Sequence, residues 1–274
     1  MKKQLILSLA IPGLILLGFG FFSQVVLARG PVGPAYQTDW VDPYSDDTLL
    51  SGIETRIDRA FVQSMMNQSP EALTTLLTKL EAYAEERSQP LADYWMSYLQ
   101  YYQAIYHLQM GEEKKAEKAT QAALDRLESL DAPNSEDYAL MSMLKGFSIQ
   151  FASGMKAPFL GAKAAKYGEQ ALAIDSTNLR AYFVLASSDY YTPEQFGGRQ
   201  KAEGYLKEAL ALPAQSVPNP YLPAWGREEA HEMLIKLYLA QERYDEAKAQ
   251  FQEAHAELPE SYLINQLASE LVGR

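Results

Sequence analysis

Residues 228–259 read EEAHEMLIKLYLAQERYDEAKAQFQEAHAELP, and their spacing decides the fold. Leu234 and Tyr238 stand one helical turn apart on a predicted helix over 226–240. Tyr244, Ala247, Phe251 and Ala254 lie on a second helix over 242–257, which Pro259 closes. So short a connection makes the two helices fold back on each other as an antiparallel hairpin. The alanines have a physical task, because small side chains let two helix backbones approach closely.

Working outward, the signature recurs. Ala116/Ala123, Ala164/Ala171, Ala202/Ala209 and Ala247/Ala254 are pairs two helical turns apart. Helical periodicity predicts eleven helices, over 47–66, 70–87, 91–110, 112–130, 135–153, 160–174, 178–191, 199–212, 226–240, 242–257 and 260–271. Strand-like alternation is absent from the sequence. Ser69 before Pro70 and Glu71 reads as a helix start: the hydroxyl accepts from a free N–H, and proline's missing donor costs nothing in the first turn. Gly111, Asn134 and Gly154 fall at expected connections. The expected fold is all-α, antiparallel helical hairpins stacked as a solenoid of about 11 helices over 47–274.

This pattern resembles the tetratricopeptide repeat (TPR). Within 228–259 it departs at His231, where a large aromatic is usual, and at Ile235, where glycine or alanine is usual. Asp175-Ser176-Thr177-Asn178, followed by Tyr182, Leu185 and Ala186, ends one repeat and opens the next. The alanine pairs begin at 116, 164, 202 and 247, farther apart than the roughly 34 residues of the repeat. The resemblance therefore implies a degenerate array with insertions between hairpins. Tyr190-Tyr191-Thr192-Pro193-Glu194-Gln195-Phe196-Gly197-Gly198, and later Leu222-Pro223-Ala224-Trp225-Gly226-Arg227-Glu228, are similar to segments of exported bacterial TPR proteins. A weaker similarity, over 193–212, is to the periplasmic TPR subunit of tripartite solute transporters.

The N-terminus points the same way. Lys2 and Lys3 precede Leu5–Phe22, a run without charge, and Val26 and Ala28 form the small-residue pattern that signal peptidase accepts. Residues 1–28 are expected to be a signal peptide cut after Ala28. The alternative is an uncleaved anchor, since the run is just long enough for a hydrocarbon core of about 30 Å, although Pro12, Gly13, Gly18 and Gly20 interrupt it. Either reading puts the body beyond the cytoplasmic membrane, periplasmic or envelope-associated, touching a membrane only through this segment. Residues 29–46, with Gly30, Pro31, Gly33, Pro34 and Pro43, are expected to be an extended lead-in.

Composition narrows the chemistry. A chain of 274 residues with 47% hydrophobic and 22% charged positions has the makings of a folded core. A net charge of −11 repels phosphate backbones, so nucleic acid is not an expected partner. The absence of cysteine excludes disulfides, thiol nucleophiles and thiolate metal sites. His107, His231 and His255 form no HExxH motif, and Glu228/His231 at i, i+3 lacks the second pair that a carboxylate-bundle metal site needs. Phosphate loops and the GxSxG elbow are missing. Accordingly no catalytic residue, metal ligand or cofactor is expected.

What remains is binding. In the solenoid register Arg180, Phe183, Ser187, Tyr190 and Tyr191 project to the concave side, joined by Glu229, Glu232 and Lys236 of the last repeat. Phe196 is expected to plug its hairpin beside a Gly197-Gly198 turn of positive φ, or to line a cavity with Tyr190. On the aromatic helix 91–110, Trp95, Leu99, Tyr102 and Tyr106 read as core, while Tyr94, Tyr98 and Tyr101 face either core or groove. The stretch from Pro213 to Trp225 is either a docking loop or an insert packed over the array. The expected function is protein–protein interaction through the concave groove, with a protein or peptide partner. The alternative is a small-ligand-binding accessory subunit of a solute transporter.

Overall fold

The computed structural model describes residues 49–87, 90–152, 156–215 and 218–273; the expected leader 1–28, the lead-in 29–46 and Gly154 lie outside the described residues. Ten helices take the predicted places: α1 (Ile53–Asn67), α2 (Glu71–Arg87), α3 (Pro90–Gln109), α4 (Glu113–Glu128), α5 (Ser135–Phe147), α6 (Lys156–Ile174), α7 (Leu179–Tyr191), α8 (Ala202–Ala211), α9 (Arg227–Ala240) and α10 (Tyr244–Glu257). The eleventh predicted helix is instead two single turns, α11 (Tyr262–Asn265) and α12 (Ala268–Leu271). No strand occurs among the described residues.

Three of the boundaries that moved have local reasons. α1 starts only after Gly52, whose φ of 65° is outside the right-handed helix. α5 ends at Phe147 and tightens into a 3-10 turn over Ser148–Phe151. α8 starts later than predicted because Gly197 and Arg199 both hold positive φ, and because the Asp189 carboxylate accepts the Lys201 and Ala202 N–H groups at 2.8 Å. The Gly197-Gly198 turn is as expected, and Gly198 is bound to it sterically: a Cβ there would stand 2.0 Å from the Thr192 carbonyl oxygen.

The helices pack as consecutive pairs, α1–α2, α3–α4, α5–α6, α7–α8 and α9–α10. The first helices α1, α3, α5, α7 and α9 also pack on one another in sequence, and each second helix sits between its own partner and the next first helix. This makes two layers, an inner one of first helices and an outer one of second helices. The predicted alanine pairs all lie on the outer helices, and all eight alanines are at most 1% exposed. They are the close-approach points the spacing called for. Ala209→Leu is expected to destabilise the chain by about 1–3 kcal/mol, through overpacking that the helices cannot relieve, measured as a lowered urea midpoint. Gly168 on α6 serves the same end, since a Cβ there would lie 2.8 Å from the Leu185 side chain on α7.

Buried polar groups fix the register of α5, α6 and α7. Ser135 Oγ donates to the Ala171 carbonyl, accepts from Asn178 Nδ2, and so joins three elements at 2.8–2.9 Å. Ser142 Oγ donates to the Ala164 carbonyl at 2.8 Å, possible only where an alanine brings that backbone close. Asn134 caps α5 by accepting from the Glu136 and Asp137 N–H groups, and the Asp137 carboxylate accepts the Asn134 N–H in return.

Asp137 carries a penalty with this role. Burial pushes its pKa from 3.8 up to about 6, the Asn134 N–H offsetting only part of that. A pKa raised on folding contributes stability that is fully present below the unfolded value and is lost as pH rises through about 6. Relative to wild type, Asp137→Asn is therefore expected to gain stability between about pH 4 and pH 7, by at most about 3 kcal/mol, in parallel urea titrations.

Between α8 and α9 the described residues settle the alternatives: they form a packed insert. Tyr221 and Trp225 are buried. Gly52 N–H donates to the Pro220 carbonyl, Trp95 Nε1 to the Tyr221 carbonyl and Trp225 Nε1 to the Tyr94 hydroxyl, all at 2.8 Å. The Ala224 N–H reaches the Glu54 carboxylate at 2.7 Å. A strap late in the chain thus returns across the inner layer to α1 and α3.

Candidate functional site

The strap decides which of the predicted inner-face residues reach solvent. Trp225 stacks on Tyr98 with ring centroids 5.9 Å apart and meets Phe183 edge-on. Tyr94, Tyr98 and Phe183 are consequently buried, core rather than groove. Arg180 is also inside. Its Nε and Nη2 donate to the two oxygens of Glu136, the latter at 2.6 Å, and Nη1 donates to the carbonyls of Ala214 and Trp225 at 2.9 and 3.3 Å. Burial works against the guanidinium charge, and Glu136 more than offsets it, so the group stays cationic. The register expects Arg180 and Phe183 on the concave side; in the structure the strap packs over both. Their expected place lining the groove is corrected accordingly.

Farther along the inner layer the predicted residues are less covered. Tyr101 on α3 and Tyr190 on α7 are half-buried, as is Ser187, whereas Tyr191 is 58% exposed. The phenol of Tyr101 is pushed above its usual pKa by burial and then by Glu229 and Tyr191; that of Tyr191 by burial and then by Glu232. Tyr101, Tyr191, Glu229 and Glu232, carried by α3, α7 and α9, thus stand within electrostatic range of one another on the inner layer. Together they outline a candidate recess, with Tyr191 reaching solvent at its edge.

The α9 residues form the acidic wall of this recess. Glu229 accepts the Gly226 N–H at 2.9 Å and so caps its own helix. Glu232 is nearly buried and ion-paired with Lys236. Burial raises the Glu232 carboxyl above its usual range, the Lys236 ammonium restraining the shift. At the margin Tyr190 and Tyr191 meet edge-to-face at 5.1 Å, with the Arg199 guanidinium 5.8 Å from the Tyr190 ring centre. Phe196 corrects both expectations made for it. It is 67% exposed, neither plugging its hairpin nor lining an enclosed cavity, because the 3-10 turn Glu194–Phe196 turns it outward.

The recess offers rings, phenol hydroxyls and carboxylates, a set that accepts hydrogen bonds and stacks. The histidines are engaged elsewhere. His107 pairs with Glu112 and His255 with Asn265, at 2.7 and 2.8 Å. Fully buried His231 lies between Gln250 and Glu257, which also binds Arg227. Among the described residues no group of three histidine, aspartate or glutamate side chains is placed to hold a metal ion. No described helix is long and apolar enough to cross a membrane.

Paired helices in two layers have counterparts among solved structures. One is TTC0263, a thermophilic TPR protein of Thermus thermophilus, at TM-score 0.52 and 21% identity over 80% of this chain and 98% of that one. The fold is TPR-like. A second counterpart is the HusA haemophore from Porphyromonas gingivalis, at TM-score 0.54 and 23% identity over 73% of this chain and 95% of that one. At such identities the likeness is one of architecture. No family model matches the chain, and no curated protein does.

Sequence reasoning named Tyr190, Tyr191, Glu229, Glu232 and Lys236 of the recess and left Tyr101 open between core and groove. It missed Glu136 as the partner of Arg180, since nothing in spacing announces a pair 44 residues apart.

Proposed function

We propose that this chain is a non-enzymatic binding protein, exported to the bacterial envelope, that holds a polypeptide segment against the recess of its inner layer. The supporting observation is that Tyr101, exposed Tyr191, Glu229 and Glu232, from three helices of the inner layer, stand within electrostatic range of one another. Tyrosines supply contact area at little entropic cost, and the carboxylates select a segment that carries basic or N–H donor groups. TPR-like folds commonly work this way, through the inner surface of the array. Periplasmic or envelope location follows from the leader reading of residues 1–28.

The test is site-specific photo-crosslinking in cells. A photoreactive phenylalanine at Tyr191 is expected to capture one discrete polypeptide, and the same group at Lys114, exposed on outer helix α4, is expected not to. Equal capture at both positions would overturn the reading. A second reading, a small flat ligand laid on Tyr190, Tyr191 and Phe196, has some support from the fold shared with the HusA haemophore. Native mass spectrometry of the purified chain separates the two, because only this reading expects a bound mass of small-molecule size. Such a ligand would fit the accessory role in a solute transporter.

A further inference from the structure

A second surface lies on the first helix pair of the array. α1 and α2 enclose an open cleft of about 550 Å³, within the range of ligand clefts, roughly 300–1,000 Å³. Its floor includes Ala60, Ala72 and Leu76, and its walls carry three cations, Arg56, Arg59 and Lys79, against a single acid, Glu71. In a chain of net charge −11 this local excess of positive charge is out of keeping with the rest.

Elsewhere the described cations are commonly held by carboxylates of this chain: Arg126 by Asp93, Lys163 by Glu128, Arg180 by Glu136, Arg227 by Glu257 and Arg243 by Glu203. Arg59 and Lys79 are exposed and have no such carboxylate among the described residues. A polar outer face is what the end of a repeat array requires for solubility, and glutamine, threonine or paired charges would meet that need. An unpaired cation on each wall of an apolar-floored cleft goes beyond it.

We infer that the α1–α2 cleft binds an acidic polypeptide segment, whose carboxylates meet Arg59 on one wall and Lys79 on the other while its apolar atoms rest on Ala60, Ala72 and Leu76. Shape favours a peptide over an anionic bilayer. A single chain enters a furrow between two helices, whereas a membrane surface meets only the outermost atoms and brings its negative charge against an acidic molecule. Nucleic acid is disfavoured by the same repulsion.

The experiment titrates the full chain into a fluorescein-labelled Glu/Ala peptide and reads anisotropy. Saturable binding that weakens with added salt is expected, with no binding of a Lys/Ala peptide. Arg59→Glu/Lys79→Glu is expected to weaken it about tenfold or more, and the milder Arg59→Gln/Lys79→Gln to weaken it less, both melting as wild type does. Tyr191→Ala leaves this binding unchanged, which separates the cleft from the recess proposed above. Absence of saturable binding, or equal affinity in the charge-reversed variant, would overturn the inference. So would sedimentation with phosphatidylglycerol vesicles that depends on Arg59 and Lys79 while the peptide stays free, which would assign the cleft to lipid instead.

Discussion

Trp225→Ala is expected to lower the unfolding free energy by about 3–5 kcal/mol, seen as a large fall in the urea midpoint. Trp225 is 5% exposed and fills the space between Tyr98 on α3 and Phe183 on α7. Removing the indole empties that volume and strips the Tyr94 hydroxyl, itself buried, of its partner at 2.8 Å. Trp225→Phe retains much of the packing and loses the N–H, so its expected loss is smaller, about 1–3 kcal/mol. A midpoint unchanged in the alanine variant would show that the strap lies on the array without supporting it.

Arg180→Ala is expected to be nearly as severe, about 3–5 kcal/mol, because it leaves the Glu136 carboxylate without its cation and the Ala214 and Trp225 carbonyls without their donor. The same logic predicts strong coupling. Glu136→Gln alone removes the compensating charge from a guanidinium that is 5% exposed, whereas Arg180→Met/Glu136→Leu removes both charges. The double variant should therefore lose much less than the sum of the two single losses, which a double-mutant cycle in urea measures. Additive losses would mean that the two side chains stabilise the chain independently.

Helix pairing was legible because it rests on local physics. Ala247 and Ala254 two turns apart, Asn178 before Leu179 and Pro70 in a first turn each act within a few residues, and each element formed where such marks occur. The last predicted helix broke in two because the pattern over 260–271 records only which residues are apolar. Leu263, Ile264, Leu267 and Leu271 are buried as that pattern requires, but two single turns achieve it. The candidate site was legible in part. Register alone picks out residues of the first helices, including Tyr191 and Glu232. It could not show that Trp225 would cover Tyr94, Tyr98 and Arg180, because that depends on where a proline-rich insert comes to rest. The basic cleft escaped notice for a related reason: Arg59 and Lys79 stand on different helices, and only their pairing makes an electrostatic feature.

Linear repeat proteins ordinarily fray, since each unit touches only its neighbours and the terminal units open at little cost to those in the middle. Here the Gly52–Pro220 and Glu54–Ala224 bonds fasten the start of the array to a point far along the chain. Amide hydrogens of α1 should consequently exchange at rates close to those of α9, the two ends opening as one cooperative unit. The same fastening demands closure of a very long loop before the native state is complete, so refolding should be slower than its helical content would imply.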